Sequence, residues 1–215
     1  MVAEMAIMNG TSHPARTTAA LRPLAHITPP GARIVVSPLP SSPKDTMINR
    51  THNTLSENVR AQSIELLNRY LAASIDLRAQ LKHAHWNVRG AAFIAVHELF
   101  DKVAAATDGY ADTIAERAAA LGGTAHGTVQ FASERSFLVP SVVGVAEEKP
   151  HIEAISGALA SFGEYTRKAI DEVALWGDFG TADLFTEVSR SVDHQLWLVE
   201  SHSKPESASR ANGAA

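Results

Sequence analysis

The strongest constraint on the fold of this chain is a spacing: between about Glu57 and Val199, apolar residues return every three or four positions, in four stretches separated by glycines. Ile64, Leu67, Leu71 and Ile75 carry the first stretch, from about Glu57 to Trp86, which stops near Gly90. Phe93, Val96, Phe100, Val103, Tyr110, Ile114 and Leu121 carry the second, ended by Gly122-Gly123. The third holds Ile152, Ile155, Leu159, Phe162, Thr166, Ala169, Val173 and Trp176; it opens near Pro150, a residue suited to a first helical turn, and closes at Gly177 and Gly180. Phe185, Val188, Val192 and Val199 carry the fourth, for which Thr181 is the expected N-cap. A stripe of this period is one face of a helix and has to be buried against other helices. Four helices packed on one another follow.

The links between them select the arrangement. The first and third are short, whereas about 25 residues punctuated by Gly, Ser and Pro separate Gly123 from Pro150. Short, long, short is what a four-helix bundle needs when one connection must return the length of the molecule, as in ferritin-like folds. The expected fold class is therefore all-α, a ferritin-like four-helix bundle with one long crossover between the second and third helices, plus a disordered N-terminal arm. The arm is residues 1–53, where seven of the ten prolines fall and repeatedly forbid helix or central strand. Arg16, Arg22, Arg33, Lys44 and Arg50 outnumber Glu4 and Asp45, so the arm is +3 in a chain of net charge −4, and −7 is left for the rest. The bundle is residues 54–203, and a small, polar, flexible tail of residues 204–215 follows.

With 215 residues and 45% hydrophobic content, such a bundle can bury a real core. The chain has no cysteine, which excludes disulfides, thiolate–zinc sites, iron–sulfur clusters and thiol-based peroxide chemistry. Any metal must sit on His, Asp and Glu. No run approaches the ~20 apolar residues that span a bilayer, and no secretory leader is visible, so the expectation is a cytoplasmic protein without membrane contact. Phosphate-cradling glycine motifs are missing as well, which sets nucleotide chemistry aside.

The second helix carries the chemistry. Opposite its apolar stripe, at 100° per residue, lie His97, Asp101, Asp112 and Glu116, with Ala104, Ala105, Ala115 and Ala119 around them and Asp108 adding an acid. Solvated helix faces usually mix Lys and Arg among their acids at three- or four-residue spacing; an acidic stripe set in alanines reads instead as an interface. His97/Asp101 and Asp112/Glu116 are each one turn apart, so each pair can chelate an ion. Their centres, however, lie ~22 Å apart at a rise of about 1.5 Å per residue. Two copies of this helix running antiparallel about a two-fold axis would set the first pair of one chain against the second pair of the other, giving two identical sites. His85, at the end of the first helix, could complete the nitrogen ligands. Two imidazoles and three carboxylates suit iron or manganese better than structural zinc, and iron is the expected metal. A carboxylate-rich site on such a bundle suggests binding Fe²⁺, oxidising it and passing Fe³⁺ to an enclosed acidic surface where mineral nucleates.

The run Lys82-His83-Ala84-His85-Trp86-Asn87-Val88-Arg89-Gly90, then Phe93-Ile94-Ala95-Val96-His97-Glu98, Asp112-Thr113-Ile114-Ala115-Glu116-Arg117 and the closing Leu196-Trp197-Leu198-Val199-Glu200-Ser201 resembles the Dps family of mini-ferritins, from about Leu55 to Ser201. The resemblance implies a dodecameric hollow shell whose ferroxidase sites lie at two-fold dimer interfaces and prefer hydrogen peroxide as oxidant. It implies that His85, His97 and Asp101 bind iron from one subunit and Asp112 and Glu116 from the other. It likewise implies that Trp86 stands near the site to intercept stray oxidising equivalents, and that Asp178 and Asp183 fall where ions enter through a three-fold pore. Iron storage, starvation response, protection against oxidative stress and, in some members, non-specific DNA binding through basic termini belong to the same implication, with a bacterial, nucleoid-associated location.

Plainer readings stand beside these. His85 could cap a helix end, Asp112 and Glu116 could belong to a solvated face, and Asp183 could serve only the helix dipole. Trp176 and Trp197 are expected to be packing residues. His83 receives no role, and Glu148-Lys149-Pro150-His151, although it spells Glu-x-x-His, is single and interrupted by proline at a helix start. The arm's few charges would bind DNA only through many copies acting together, with steep salt dependence. Met47 is an alternative translation start that would leave only Arg50 of the basic residues. Alternatives to a DNA-protecting ferroxidase are an iron-storing ferroxidase without DNA contact, or a non-catalytic helical assembly protein with a structural metal.

Overall fold

The computed structural model describes residues 49–203. Within them lie α1 (Glu57–Asn87), α2 (Phe93–Ala120), α3 (Val129–Arg135), α4 (Glu148–Leu175) and α5 (Phe179–Glu200). The four long helices are those read from the apolar period. The short α3 is an addition: the crossover, expected to be irregular, folds one stretch of seven residues into a helix. Thr128 caps it, its hydroxyl accepting from Phe131 N at 3.3 Å, and Ala132 buries against α1. Among the described residues there is no strand, only an isolated bridge between Arg89 and Glu147. No helix among them is long and apolar enough to cross a membrane.

α1 lies antiparallel along α2, and α4 along α5, as their short links require. The first hairpin is fastened at both ends. Arg60 Nη1 donates to Leu121 O at 3.0 Å at one end, and His85 meets His97 at the other. Between the hairpins, Ile64, Leu67, Leu77, Phe100, Phe162 and Phe185 are fully buried, so the expected stripes converge on one core. Tyr70 sits at its centre, 4.7 Å from Phe185 and 5.2 Å from Phe137 between ring centroids. Its hydroxyl donates to Tyr165 O, and burial pushes its ionisation well above the usual tyrosine range.

Polar clamps hold the crossover down. Asn68, buried on α1, donates to Thr124 O and accepts from His126 N. Ser136 donates to the Asp76 carboxylate at 2.5 Å. At the far end Arg89 N donates to Ala146 O at 2.7 Å, and Glu148 accepts from Ala92 N at 2.6 Å, tying the start of α4 to the α1–α2 corner. Gly90 makes that possible, because a Cβ there would fall 2.4 Å from Glu148 Cδ.

Three expectations are corrected. The N-cap of α5 is Asp178, which accepts from Thr181 N at 3.1 Å; Thr181 stands inside the first turn. Ala104 belongs to the core, not to the outer face, whereas Ala105 and Ala119 are exposed and Ala115 is half-buried. Trp197 is 62% exposed beside the His194 ring and is not a packing residue in this chain; Trp176 is half-buried.

Candidate metal site

The last turn of α1 and the first turns of α2 meet across a five-residue corner, Val88 to Ala92, and each contributes one histidine. His85 Nδ1 lies 2.8 Å from His97 O, and His97 Nδ1 lies 2.8 Å from His85 O. A carbonyl only accepts, so each ring donates from Nδ1 and keeps its Nε2 lone pair bare. That is the tautomer a metal ligand needs, fixed by a backbone partner behind it. The rings stack at 3.7 Å between centroids with planes 21° apart, and Phe93 packs 5.0 Å from His97.

One turn along α2, Asp101 reaches the same patch. It is exposed, and Lys82 Nζ approaches its Oδ1 at 2.6 Å. The Lys82 hydrogen bond and charge, with smaller help from His85 and His97, hold the Asp101 carboxyl below the usual carboxylate range. His85, His97, Glu98, Asp101 and Lys102 line an open pocket of about 210 Å³. Trp86 stands 66% exposed at its margin, with Lys82 Nζ 5.8 Å from its ring. Lys82 therefore stands between the acid and the tryptophan. Its part went unread in the sequence, although it lies three residues before His85 and so on the same face of α1.

Asp112 and Glu116 are exposed on α2, three to four turns farther along, and one chain does not bring them to His85. Asp108, between the two pairs, is held by Arg78 at 2.5 Å. Among the described residues no three His, Asp or Glu side chains of a single chain converge as a metal-binding group. Within one chain, then, the structure assembles the imidazole half and Asp101, and leaves the second acidic pair facing outward.

The remaining expected residues fall elsewhere. Asp178 is 1% exposed and fully engaged: besides Thr181 N, it accepts from Thr181 Oγ1 at 2.6 Å and pairs with Arg117 Nη2 at 2.6 Å. Burial raises its carboxyl, and the Thr181 and Ser63 hydroxyls, Thr181 N–H and Arg117 outweigh that, leaving it below the ordinary range. Asp183 is exposed on α5. Of the basic arm residues, Arg50 is exposed; Arg16, Arg22, Arg33 and Lys44 lie outside the described residues, as does Met47.

With this geometry in view, the relatives are informative. The ferritin-like domain family matches residues 64–205. A DNA protection during starvation protein of Agrobacterium fabrum is 41% identical over 154 residues, which is 72% of this chain and 95% of the relative. Among solved structures, DpsC from Streptomyces coelicolor superposes with a TM-score of 0.70 at 31% identity, over 74% of this chain and 94% of that one. DpsA14 from the same organism gives 0.69 at 33% identity, again over 74% and 94%.

Proposed function

The chain belongs to the Dps family of ferritin-like proteins, and from that premise we propose that it oxidises Fe²⁺ with hydrogen peroxide at sites shared by two subunits. It stores the ferric product in a dodecameric shell and shields DNA in the bacterial cytoplasm. The observation that carries this reading is the pair of imidazoles locked with Nε2 bare at the α1–α2 corner, together with Asp112 and Glu116, two exposed acids farther along α2 that join no metal-binding group among the described residues. Antiparallel pairing of two α2 helices places the partner subunit's Asp112 and the partner subunit's Glu116 opposite His85, His97 and Asp101. Iron is the substrate. The imidazoles and carboxylates bind and orient it, and the acids neutralise the charge that rises when Fe²⁺ becomes Fe³⁺.

The electron balance favours paired ions. Two Fe²⁺ each give up one electron, and the two electrons cleave the O–O bond of one peroxide to two hydroxides, so no hydroxyl radical leaves. Trp86, at the margin, is placed to intercept an oxidising equivalent that escapes. Asp183 is the acid still available to admit ions at a three-fold axis, since Asp178 is committed to Arg117 and Thr181. DNA contact is non-specific and resides in the arm, through many copies of its basic residues together.

Anaerobic Fe²⁺ titration followed by peroxide tests the chemistry. Replacing both Asp112 and Glu116 by Ala is expected to abolish fast oxidation and leave the helical spectrum unchanged, because neither side chain is buried. Unaltered kinetics would contradict the shared site, and bound metal without peroxide-dependent oxidation would favour the structural-metal alternative. For DNA, a gel shift across a salt series is expected to disappear when residues 1–46 are removed. A shift that survives would move the contact elsewhere, and no shift from the full chain would leave an iron store alone.

A further inference from the structure

On the side of α1 away from His85, two more histidines come together. His83 on α1 and His151, in the first turns of α4, lie 6.4 Å apart between ring centroids with planes at 62°. His151 is fully buried. Its Nε2 donates to Val145 O at 3.1 Å, which leaves Nδ1 bare. His151 Nδ1 and His83 Nε2 are both sealed from solvent, and neither has a hydrogen-bond partner among the described residues. A buried polar atom without a partner costs roughly 1–3 kcal/mol, so two such nitrogens on neighbouring rings call for an occupant.

The size of the gap narrows the choice. Taking about 1.1 Å from centroid to nitrogen at each end, the two nitrogens come no closer than ~4.2 Å, too far for a direct hydrogen bond; two metal–imidazole bonds of ~2.0–2.1 Å laid end to end span that closest approach, which small turns of the rings reach. An ion held this way has a nearly straight N–metal–N arrangement. Charge narrows it again. The three acids nearest His151 in sequence are already engaged: Glu148 accepts from Ala92 N, Glu147 accepts from Ala146 N, and Glu153 pairs with Lys149 at 3.5 Å. Two neutral imidazoles offset none of a divalent ion's charge, and burying that charge uncompensated is prohibitive. A monovalent d¹⁰ ion content with two nitrogen ligands fits both restrictions, and imidazole is among the ligands copper accepts.

We propose that His83 Nε2 and His151 Nδ1 form a second metal site, specific for a two-coordinate monovalent ion of the Cu⁺ type, behind the corner that carries His85 and His97. Binding requires the His83 proton to sit on Nδ1. Among the described residues the contact there is the 3.4 Å approach of Asn87 Nδ2, whose hydrogen bond to His83 O at 2.8 Å is the stronger one and does not need the ring nitrogen as acceptor. The site does not depend on the iron reading, since it uses none of the same residues.

The test titrates the assembled full-length protein anaerobically with Cu⁺ buffered by bicinchoninate. His83→Gln is expected to lose one equivalent per chain, while His97→Ala keeps it, which separates this pair from the imidazoles at the corner. His151→Asn, the buried partner, loses the same equivalent if it folds. X-ray absorption of the loaded wild-type protein then shows two nitrogen neighbours at ~2.0 Å. Equal copper uptake by wild type and His83→Gln, or a spectrum with three or more neighbours, overturns the proposal.

Discussion

Removing the Asp178 side chain tells a structural acid from a transport acid. In Asp178→Ala the N-cap of α5 is lost, at about 1 kcal/mol. Arg117, only 23% exposed, loses its partner, and Thr181 Oγ1 loses an acceptor. Breaking a buried ion pair from one side costs roughly 3–5 kcal/mol, but these contributions overlap in one carboxylate, and Arg117 can still reach water. The sum is therefore about 3 kcal/mol. For a domain of this size that lowers Tm by about 6–12 °C. Asp178→Asn keeps a capping side chain, since Asn caps as well as Asp, and loses only the charge, so its Tm falls between the two. Thermal unfolding by circular dichroism at one fixed subunit concentration gives the shift, and stopped-flow iron uptake on the same samples gives the transport side. A drop of under about 2 °C with markedly slower iron uptake would refute the structural assignment. The acid limb adds a control. Because the folded carboxyl sits below its unfolded value of about 3.9, its contribution is complete above that pH and disappears as pH falls through the lower folded value. Wild type and Asp178→Asn should accordingly begin to converge in stability below about pH 4 and match only once the pH is under the folded value.

Three further outcomes follow from the geometry. His85→Ala and His97→Ala each remove one ring nitrogen but keep the backbone carbonyl that holds the other ring, so either alone is expected to weaken Fe²⁺ binding by roughly 10–100-fold and the double variant to lose clearly more; a single variant as weak as the double in anaerobic titration would contradict a remaining ring held by backbone alone. Lys82→Met frees Asp101 and raises its carboxyl toward the ordinary range, so the acid limb of Fe²⁺ binding should move to higher pH while affinity near neutrality rises; an unchanged pH profile would mean the ion pair is not formed in solution. Gly123→Ala places a Cβ 2.5 Å from Ile64 Cγ2, in a fully buried side chain, and should cost about 1–3 kcal/mol in urea unfolding, whereas Gly109→Ala, with open space at its Cβ, should not destabilise.

The long helices were legible because each repeats its apolar period over six or more turns, enough for the pattern to exceed chance. α3 was not, because two turns cannot show a period and Thr128 announces a cap only once a helix follows it. Ala104 was assigned to the wrong face although it stands one turn after the buried Phe100, about 40° from it around the helix; an alanine says nothing about its own side, and it was grouped with the neighbouring alanines of the acidic stripe. For the α5 cap, Asp178 and Thr181 were both eligible, and which one lies outside the helix is settled by Arg117, sixty-one residues away in sequence. Type and spacing singled out His85, His97 and Asp101, which the structure brings to one pocket, and Asp112 and Glu116, which it leaves apart; the reciprocal carbonyl bonds of His85 and His97 were not readable, since they depend on how the corner at Gly90 closes. The His83–His151 pair was invisible for the same reason: only the return of the crossover brings α4 to α1.

The corner that joins the two imidazoles also divides the site in time. Each ring is fixed at one nitrogen by the other's backbone, so both have given up their rotational freedom when the hairpin folds, before any ion arrives. Freezing two such side chains on binding would otherwise weaken affinity by about 0.5–1.5 kcal/mol each. Under the proposed function, a newly made subunit presents a finished nitrogen clamp but no facing acids, and a ferrous ion held there lacks the surroundings needed to turn it over. On the same reading, oxidation would begin only when two subunits close, keeping reactive chemistry off the unassembled chain.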